Sequence, residues 1–320
     1  RYGSVTFNQF GWGFPLGGIN EAGLVVEELS YSPTRYPEPD GRPALNELQW
    51  IQYQLDNSSS VGEVLASDTL VRIGKFLFGV HYLVADGSGS VAVIEFLDGE
   101  RVVHSGEDLP VHVLANDTYG NSVRYLGHHV GFGGSRVVSN GPESPERFVR
   151  AATMLQEYAA GSKPAAGSKH APRPVDADEG RSSADPEAPT PEAPSPSTPR
   201  SFAFHVLASV KQEDTQWSIA YDQGSSEVSF RSASYPSIRT IALDTLDFSC
   251  RAADVVMPMS STPSGSRRDP GKPWTTEENG ELVRAVFQKL AEEFGPDELP
   301  SPEAVAELAA YPATARCGLG

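Results

Sequence analysis

Cysteine is scarce in this chain: the 320 residues hold two, Cys250 and Cys317. Neither lies in a C-x-x-C unit or at zinc-ligand spacing, so a structural metal site is not expected, while one bridge and two free thiols both stay open. Positive charge is short as well. Lys and Arg number 25 against 42 Asp and Glu, a formal net charge of −17. Nucleic acid and anionic lipid both need a basic footprint, so neither is an expected partner. No apolar run approaches the roughly 18 residues of a membrane span. The dinucleotide fingerprint GxGxxG, the P-loop, the zinc helix HExxH and the serine elbow GxSxG are all absent from the sequence.

What is present is a globular composition, 39% apolar, in a length that fits one large domain or two ordinary ones. Many of the 26 prolines fall in one stretch, residues 161–200. That stretch has no aromatic and a single large aliphatic residue, Val175, so it cannot offset the entropy of ordering. It reads as a disordered or polyproline-like insertion, either between two domains or swollen from a loop within one.

The periodicities are mixed. GLVVEEL at 23–29 reads as a buried strand, and ALNELQWIQYQL as a helix with Leu45, Leu48, Ile51 and Leu55 at helical spacing. Ser60-x-x-Glu63 predicts a capping box. FGVHYLVAD, VAVIEF and RVVHS, joined by GSGS and LDGE, predict a three-stranded antiparallel meander, and VHVLAN a further strand over 111–116. SPERFVRAATMLQEYA predicts a helix with Ser144 as N-cap and Pro145 at N1. SFAFHVLASV fits helix or strand. TQWSIAYD, EVSFRS and RTIALDTL predict a second meander, followed by helices near 277–294 (Leu282, Val286, Leu290 and Phe294 on one side, Gly295 as stop) and 302–310. Such an order excludes regular βαβ alternation and favours two antiparallel sheets with helices outside them.

Few residues stand out chemically. Phe10, Trp12 and Phe14, set among glycines in GWGFPLGG, suit either an apolar ligand mouth or local packing. His128 and His129 in GHHVGFGG point apart and make a poor metal pair. Asn116 ends the segment LAN. Arg147 falls in the first turn of a helix, the unfavourable end of the dipole for a cation.

Taken together, Gly17-Gly-Ile-Asn-Glu-Ala-Gly-Leu24, Val113-Leu-Ala-Asn116 and Ser144-Pro-Glu-Arg-Phe-Val-Arg150 resemble the choloylglycine hydrolase and penicillin V acylase family of linear-amide hydrolases. YLVADGSGSVAVIEF, TQWSIAYD and SIRTIALDTL add to the resemblance, which runs from Tyr2 to about Phe248. It implies an α+β, four-layer α-β-β-α N-terminal-nucleophile hydrolase fold. The expected organisation is a single domain over 1–250, interrupted at 161–200, with a C-terminal extension over 251–320. It implies a cysteine nucleophile whose own α-amine assists proton transfer. Asn116 aligns with the family's oxyanion asparagine and Arg147 with the arginine held near the cysteine, the two expected catalytic residues. Ser30 aligns with a pocket position that is Asn or Tyr elsewhere, and Tyr31 is its alternative; both are expected to bind substrate, together with Phe10, Trp12 and Phe14. Asn20 and Glu21 read as structural turn residues.

By the same resemblance Arg1 falls after the family's nucleophile and the Arg and Asp that follow it. The first hairpins are then expected to be missing and the chain, so truncated, to be inactive. The expected substrate is a small N-acyl amide with an apolar acyl group, bile salts, phenoxyacetyl penicillins, N-acyl homoserine lactones and fatty-acid amides all being used in or near the family. No metal or organic cofactor is expected, and the resemblance implies a homo-oligomer, commonly a tetramer. Two other readings stay open: a non-catalytic binding homologue of the same fold, and an unrelated two-sheet structural protein. The last requires Asn116 and Arg147 to lie far apart, whereas the hydrolase reading puts both around one cleft.

Overall fold

The computed structural model describes residues 2–161, 198–259, 271–295 and 301–311. Most of the proposed insertion therefore lies outside the described residues. Strands β1 (Ser4–Asn8), β2 (Pro15–Asn20) and β3 (Val25–Ser30) form an antiparallel run. It continues into the predicted meander β6 (Val80–Ala85), β7 (Val91–Leu97) and β8 (Glu100–Ser105), giving one six-stranded sheet in the order β1-β2-β3-β6-β7-β8. Between β3 and β6 the chain makes a short strand β4 (Ala44–Asn46), helices α1 (Glu47–Asn57) and α2 (Val61–Ala66), and β5 (Arg72–Gly74), which pairs with β4. Turn chemistry sets these registers. The β7–β8 turn places Asp98 and Gly99 at φ 53° and 85°, the primed-turn geometry that Asp-Gly supplies at low cost.

Strand alternation divides the sheet's two faces. Val26, Val80, Tyr82, Val84, Ile94 and Phe96 face outward and are buried with Leu48, Ile51 and Leu55 of α1. Helices α6 (Thr276–Phe294) and α7 (Pro302–Ala310) add to this side through Val286, Leu290 and Leu308. The inner face is covered by two different materials. Phe7, Ile19 and Val25 meet Val228 and Phe230 of a second, three-stranded sheet, β9 (Trp217–Asp222), β10 (Glu227–Ser232) and β11 (Arg239–Ala242), in the order β11-β10-β9. Val93, with Leu83 and Val91, instead meets helices α3 (Tyr119–Leu126) and α4 (Ser144–Ala159) through Leu126, Phe148, Val149 and Ala152. On the far side of the second sheet, Arg231 lies over the Phe204 ring of helix α5 (Pro199–Ser209) at 5.3 Å. The order is thus helix, sheet, sheet, helix over the β1–β3 half, with α3 and α4 in place of strands under β6–β8.

Three local expectations are corrected and one open alternative is resolved. Residues 111–116 form no strand; Val113 and Ala115 are buried against α3 and α4, and the Tyr119 hydroxyl takes up the backbone of Val111, donating to its carbonyl at 2.9 Å and accepting its N–H at 3.2 Å. The ambiguous segment after the insertion is helix α5, because Thr198 caps it and Pro199 fits its first turn. Helix α4 is capped by Glu143 rather than Ser144, with Glu146 closing the reciprocal bond. On α6 the buried apolar residues are Val283 and Phe287, not Leu282, because α7 docks there with Val305 and Ala309.

Two polar groups tie these layers together. Asn20, fully buried, donates to the Leu55 and Ser58 carbonyls at 2.8 and 2.7 Å and accepts from Ala22 and Leu24 N–H at 3.1 and 2.9 Å. One side chain thereby serves the C-terminus of α1 and the β2–β3 turn, while Gly23, at φ 85°, takes the left-handed position. Between the sheets, the Tyr221 hydroxyl donates to Glu27, whose carboxyl sits over Gly17 where a Cβ would approach it to 2.3 Å. Burial pushes Glu27 up from 4.5 to about 8, opposed by the Tyr221 bond and assisted by Glu28.

Asn20→Ala leaves four backbone groups, three of them in buried bonds, without this partner and should cost about 3 kcal/mol in urea denaturation. The Glu27 carboxyl keeps a proton in the folded state that the unfolded chain releases, so this group lowers stability as the pH rises from 4.5 to about 8. Glu27→Gln should therefore be more stable than the parent near pH 8, on the order of 1–3 kcal/mol after solvent screening, and equal to it near pH 4.5.

Candidate functional site

Asn116 is exposed because its neighbour Ala115 turns inward and Thr118, two residues on, caps α3. Arg147 leaves the first turns of α4, whose start is built by the Glu143–Glu146 box and by Ser139, which donates to Glu146 at 2.7 Å. These two side chains meet. Arg147 Nη2 donates to Asn116 Oδ1 at 2.8 Å and Arg147 Nε to the Pro142 carbonyl at 3.0 Å. Asn116 Nδ2 then donates to the Ser30 carbonyl, at the end of β3, at 2.8 Å. Both neighbours of the amide are one-sided, a guanidinium that only donates and a carbonyl that only accepts, so its orientation follows without ambiguity. Burial lowers the Arg147 pKa, with Arg150 adding and Asp214 and Glu143 opposing; an arginine starts so high that it stays a cation.

Arg150 holds this corner from behind. It is 8% exposed, and its guanidinium donates to the carbonyls of Ser139, Gly141 and Ser209 at 2.9, 2.7 and 3.0 Å. The loop entering α4 and the end of α5 are thus fixed by one side chain. Its signal in the sequence is an arginine inside the apolar stripe Phe148, Val149, Ala151, Ala152, a cost that only a set of buried acceptors offsets.

Ser30 is the other end of the chain of bonds, through its carbonyl and not its hydroxyl. Tyr31 follows, its ring stacked on His81 at 5.4 Å and 19° and its N–H donating to Gly79 O at 2.8 Å. Gly79 is needed there, since a Cβ would reach the Tyr31 carbonyl at 2.5 Å. Burial pushes the Tyr31 hydroxyl up, and Asp117 and Glu95 add to it. The structure therefore brings together Asn116, Arg147 and Ser30, with Tyr31 adjoining. It does not bring Phe10, Trp12 and Phe14 to them. Phe10 and Phe14 are buried in the core on the opposite face of the large sheet, against Phe78 and Tyr311, and Trp12 packs edge-on to Trp274 at 5.4 Å. Asn279 accepts the Trp12 N–H at 2.8 Å and donates to Ala309 O at 2.9 Å, locking that loop to the C-terminal helices. His129 is buried and bonded to the Tyr125 carbonyl.

Glu95 is the residue that sequence reading passed over. It interrupts the apolar strand β7, is fully buried, and accepts from the Tyr119 N–H, His81 and His104. Among the described residues no group of three His, Cys, Asp or Glu side chains is placed to hold a metal ion. Cys250 is disulfide-bonded and offers no free thiol. No helix among the described residues is long and apolar enough to cross a membrane.

Two antiparallel sheets between helices, with an arginine-backed asparagine in the loop before α3, agree with what the resemblance to the linear-amide hydrolases implied. Residues 13–140 match the model of the linear amide C–N hydrolases, choloylglycine hydrolase family. A penicillin V acylase of Pectobacterium atrosepticum is 25% identical over 270 residues, covering 78% of this chain and 69% of that protein. Among solved structures, penicillin V acylase from Agrobacterium tumefaciens superposes with a TM-score of 0.58 at 24% identity, covering 79% of this chain and 73% of its own. A variant of conjugated bile acid hydrolase from Clostridium perfringens gives 0.55 at 17% identity, covering 73% and 74%. The resemblance to the choloylglycine hydrolase family is thus found by family model and sequence relative, and the fold is shared with the solved penicillin V acylase and conjugated bile acid hydrolase.

Arg150→Met strands three carbonyls and should lower stability by about 3 kcal/mol, read as a fall in Tm. Arg150→Lys, which keeps the charge without the fork, should recover less than half of that loss.

Proposed function

We propose that this chain belongs to the linear amide C–N hydrolases and binds the carbonyl of a small N-acyl amide where Asn116 and Arg147 meet. The observation that carries this reading is the bonded series Arg147, Asn116, Ser30. Arg147 withdraws charge from the Asn116 amide through Oδ1, and one Asn116 N–H is committed to Ser30. The other N–H is left to a developing oxyanion, which a preorganised donor stabilises far more than it does the neutral carbonyl. The Arg147 cation beside it also favours a thiolate over a thiol.

The nucleophile in this reading is a cysteine with a free α-amino group, as the resemblance implies. Neither Cys250 nor Cys317 matches it. The thiolate sulfur bonds to the acyl carbon, and the carbonyl electron pair moves to oxygen beside Asn116. Collapse then breaks the carbon–nitrogen bond, and the amine leaves with a proton from the α-ammonium. Water hydrolyses the thioester and restores the thiol. Tyr31, rather than Phe10, Trp12 or Phe14, is the aromatic beside the acyl group.

The test is amine release from phenoxyacetyl amides, glycine-conjugated bile salts and N-acyl homoserine lactones by the protein carrying its N-terminal cysteine. Release from at least one is expected, and release from none ends the reading. In that protein Asn116→Ala should lower kcat about 100- to 1000-fold while KM moves little.

A further inference from the structure

The Asn116 amide depends on two chain segments, the loop that carries it and the strand end it donates to, and one buried carboxylate touches both. Glu95 lies at the middle of β7 on the inner face and is fully buried. Its Oε1 accepts the N–H of Tyr119, the first residue of α3, at 3.0 Å. Asn116 is three residues upstream, just ahead of the Thr118 cap. The same oxygen faces His81 Nδ1 at 3.2 Å, and the other side of that bond leads to Tyr31, whose ring lies on the His81 ring. Ser30, the acceptor of the Asn116 amide, is the neighbour of Tyr31. The second oxygen, Oε2, faces His104 Nε2 at 3.1 Å from β8, and the His104 ring packs on Tyr119 at 4.8 Å.

We propose that Glu95 is a positioning residue for the site. It holds the start of α3 and the end of β3 at the separation that the Asn116–Ser30 bond requires. The physical case is that a buried carboxylate must find donors, and here all three come from groups that lead to the site or brace it. A helix N-terminus is moreover where a carboxylate binds best, so the Tyr119 N–H is a strong anchor. His104 fixes the second oxygen and so the rotation of the carboxylate about its bond. This inference rests on the amide-hydrolase reading only for its consequence in catalysis; the positioning itself can be measured without any substrate.

The experiment is amide hydrogen exchange on the full chain in the parent, Glu95→Gln and Glu95→Ala. In Glu95→Ala the peptides covering 29–32 and 115–121 should exchange about tenfold faster or more, with 217–232 on the second sheet unchanged. Glu95→Gln keeps an acceptor for the Tyr119 N–H and should stay within about threefold of the parent. Equal acceleration in all three peptides, or no acceleration, overturns the proposal. If Glu95→Ala does not fold, Glu95→Asp, one methylene shorter, should show the same two-peptide pattern at reduced size, and a uniform pattern there overturns it equally. In the form carrying the nucleophile, Glu95→Ala should lower kcat more than it raises KM, and Glu95→Gln should restore most of it. An unchanged kcat in an active Glu95→Ala overturns the proposal. A parent that cleaves no amide yet shows the two-peptide exchange pattern sinks the functional reading and leaves Glu95 in its place.

Discussion

A guanidinium has hydrogens to give and no lone pair to offer, and a peptide carbonyl is its opposite. The Asn116 side chain lies between one of each, and this is the constraint around which the rest of the site is arranged. Because Arg147 takes Oδ1 and the Ser30 carbonyl takes one hydrogen of Nδ2, the amide has a single orientation and a single spare donor. Holding it so requires three elements to keep their distances. Helix α4 is anchored at its start by Glu146 and Arg150, the loop before α3 by Glu95, and the end of β3 by its pairing with β6 and by the stack of Tyr31 on His81.

The large sheet makes these distances rigid, and its two faces do different work. The outward face is a continuous apolar core against α1, into which α6 and α7 also pack. Along the inward face runs a row of polar groups, Glu27, His81, Glu95 and His104, each met by a partner from another element or strand. Burying such groups costs more than burying leucines, and the cost is offset only if the partners are in place. A sheet face with this composition is poorly suited to being a plain core. It is well suited to holding, without slack, the loops and helix starts that surround a reactive carbonyl.

Much of this could be read in one dimension, and the failures have definite causes. The meander over β6–β8 was legible because alternation and turn residues agree: GSGS and LDGE sit where the apolar pattern breaks. Helix α4 was legible from its stripe, although its cap was displaced by one residue because Glu143 completes the reciprocal bond with Glu146. Residues 111–116 alternate as a strand should, yet the alternation is spent on packing against α3 and α4, and a tyrosine hydroxyl takes the place of a neighbouring strand. Phe10 and Phe14 looked like a ligand mouth because aromatics among glycines are rare in plain loops. Their partners, Phe78 and Tyr311, lie 68 and 297 positions away in the chain, beyond the reach of local pattern.

The family resemblance, an asparagine after a short apolar segment, an arginine at a helix start, and the strands of the two meanders were all contained in the sequence, since each is a matter of local order and composition. Which of two apolar rows on α6 turns inward, where the aromatics near residue 12 go, and that Glu95 and Arg150 brace the site were decided only by tertiary structure. Those outcomes depend on which distant surface arrives to cover a given face, and a buried polar side chain declares its purpose only when its donors or acceptors have been brought to it.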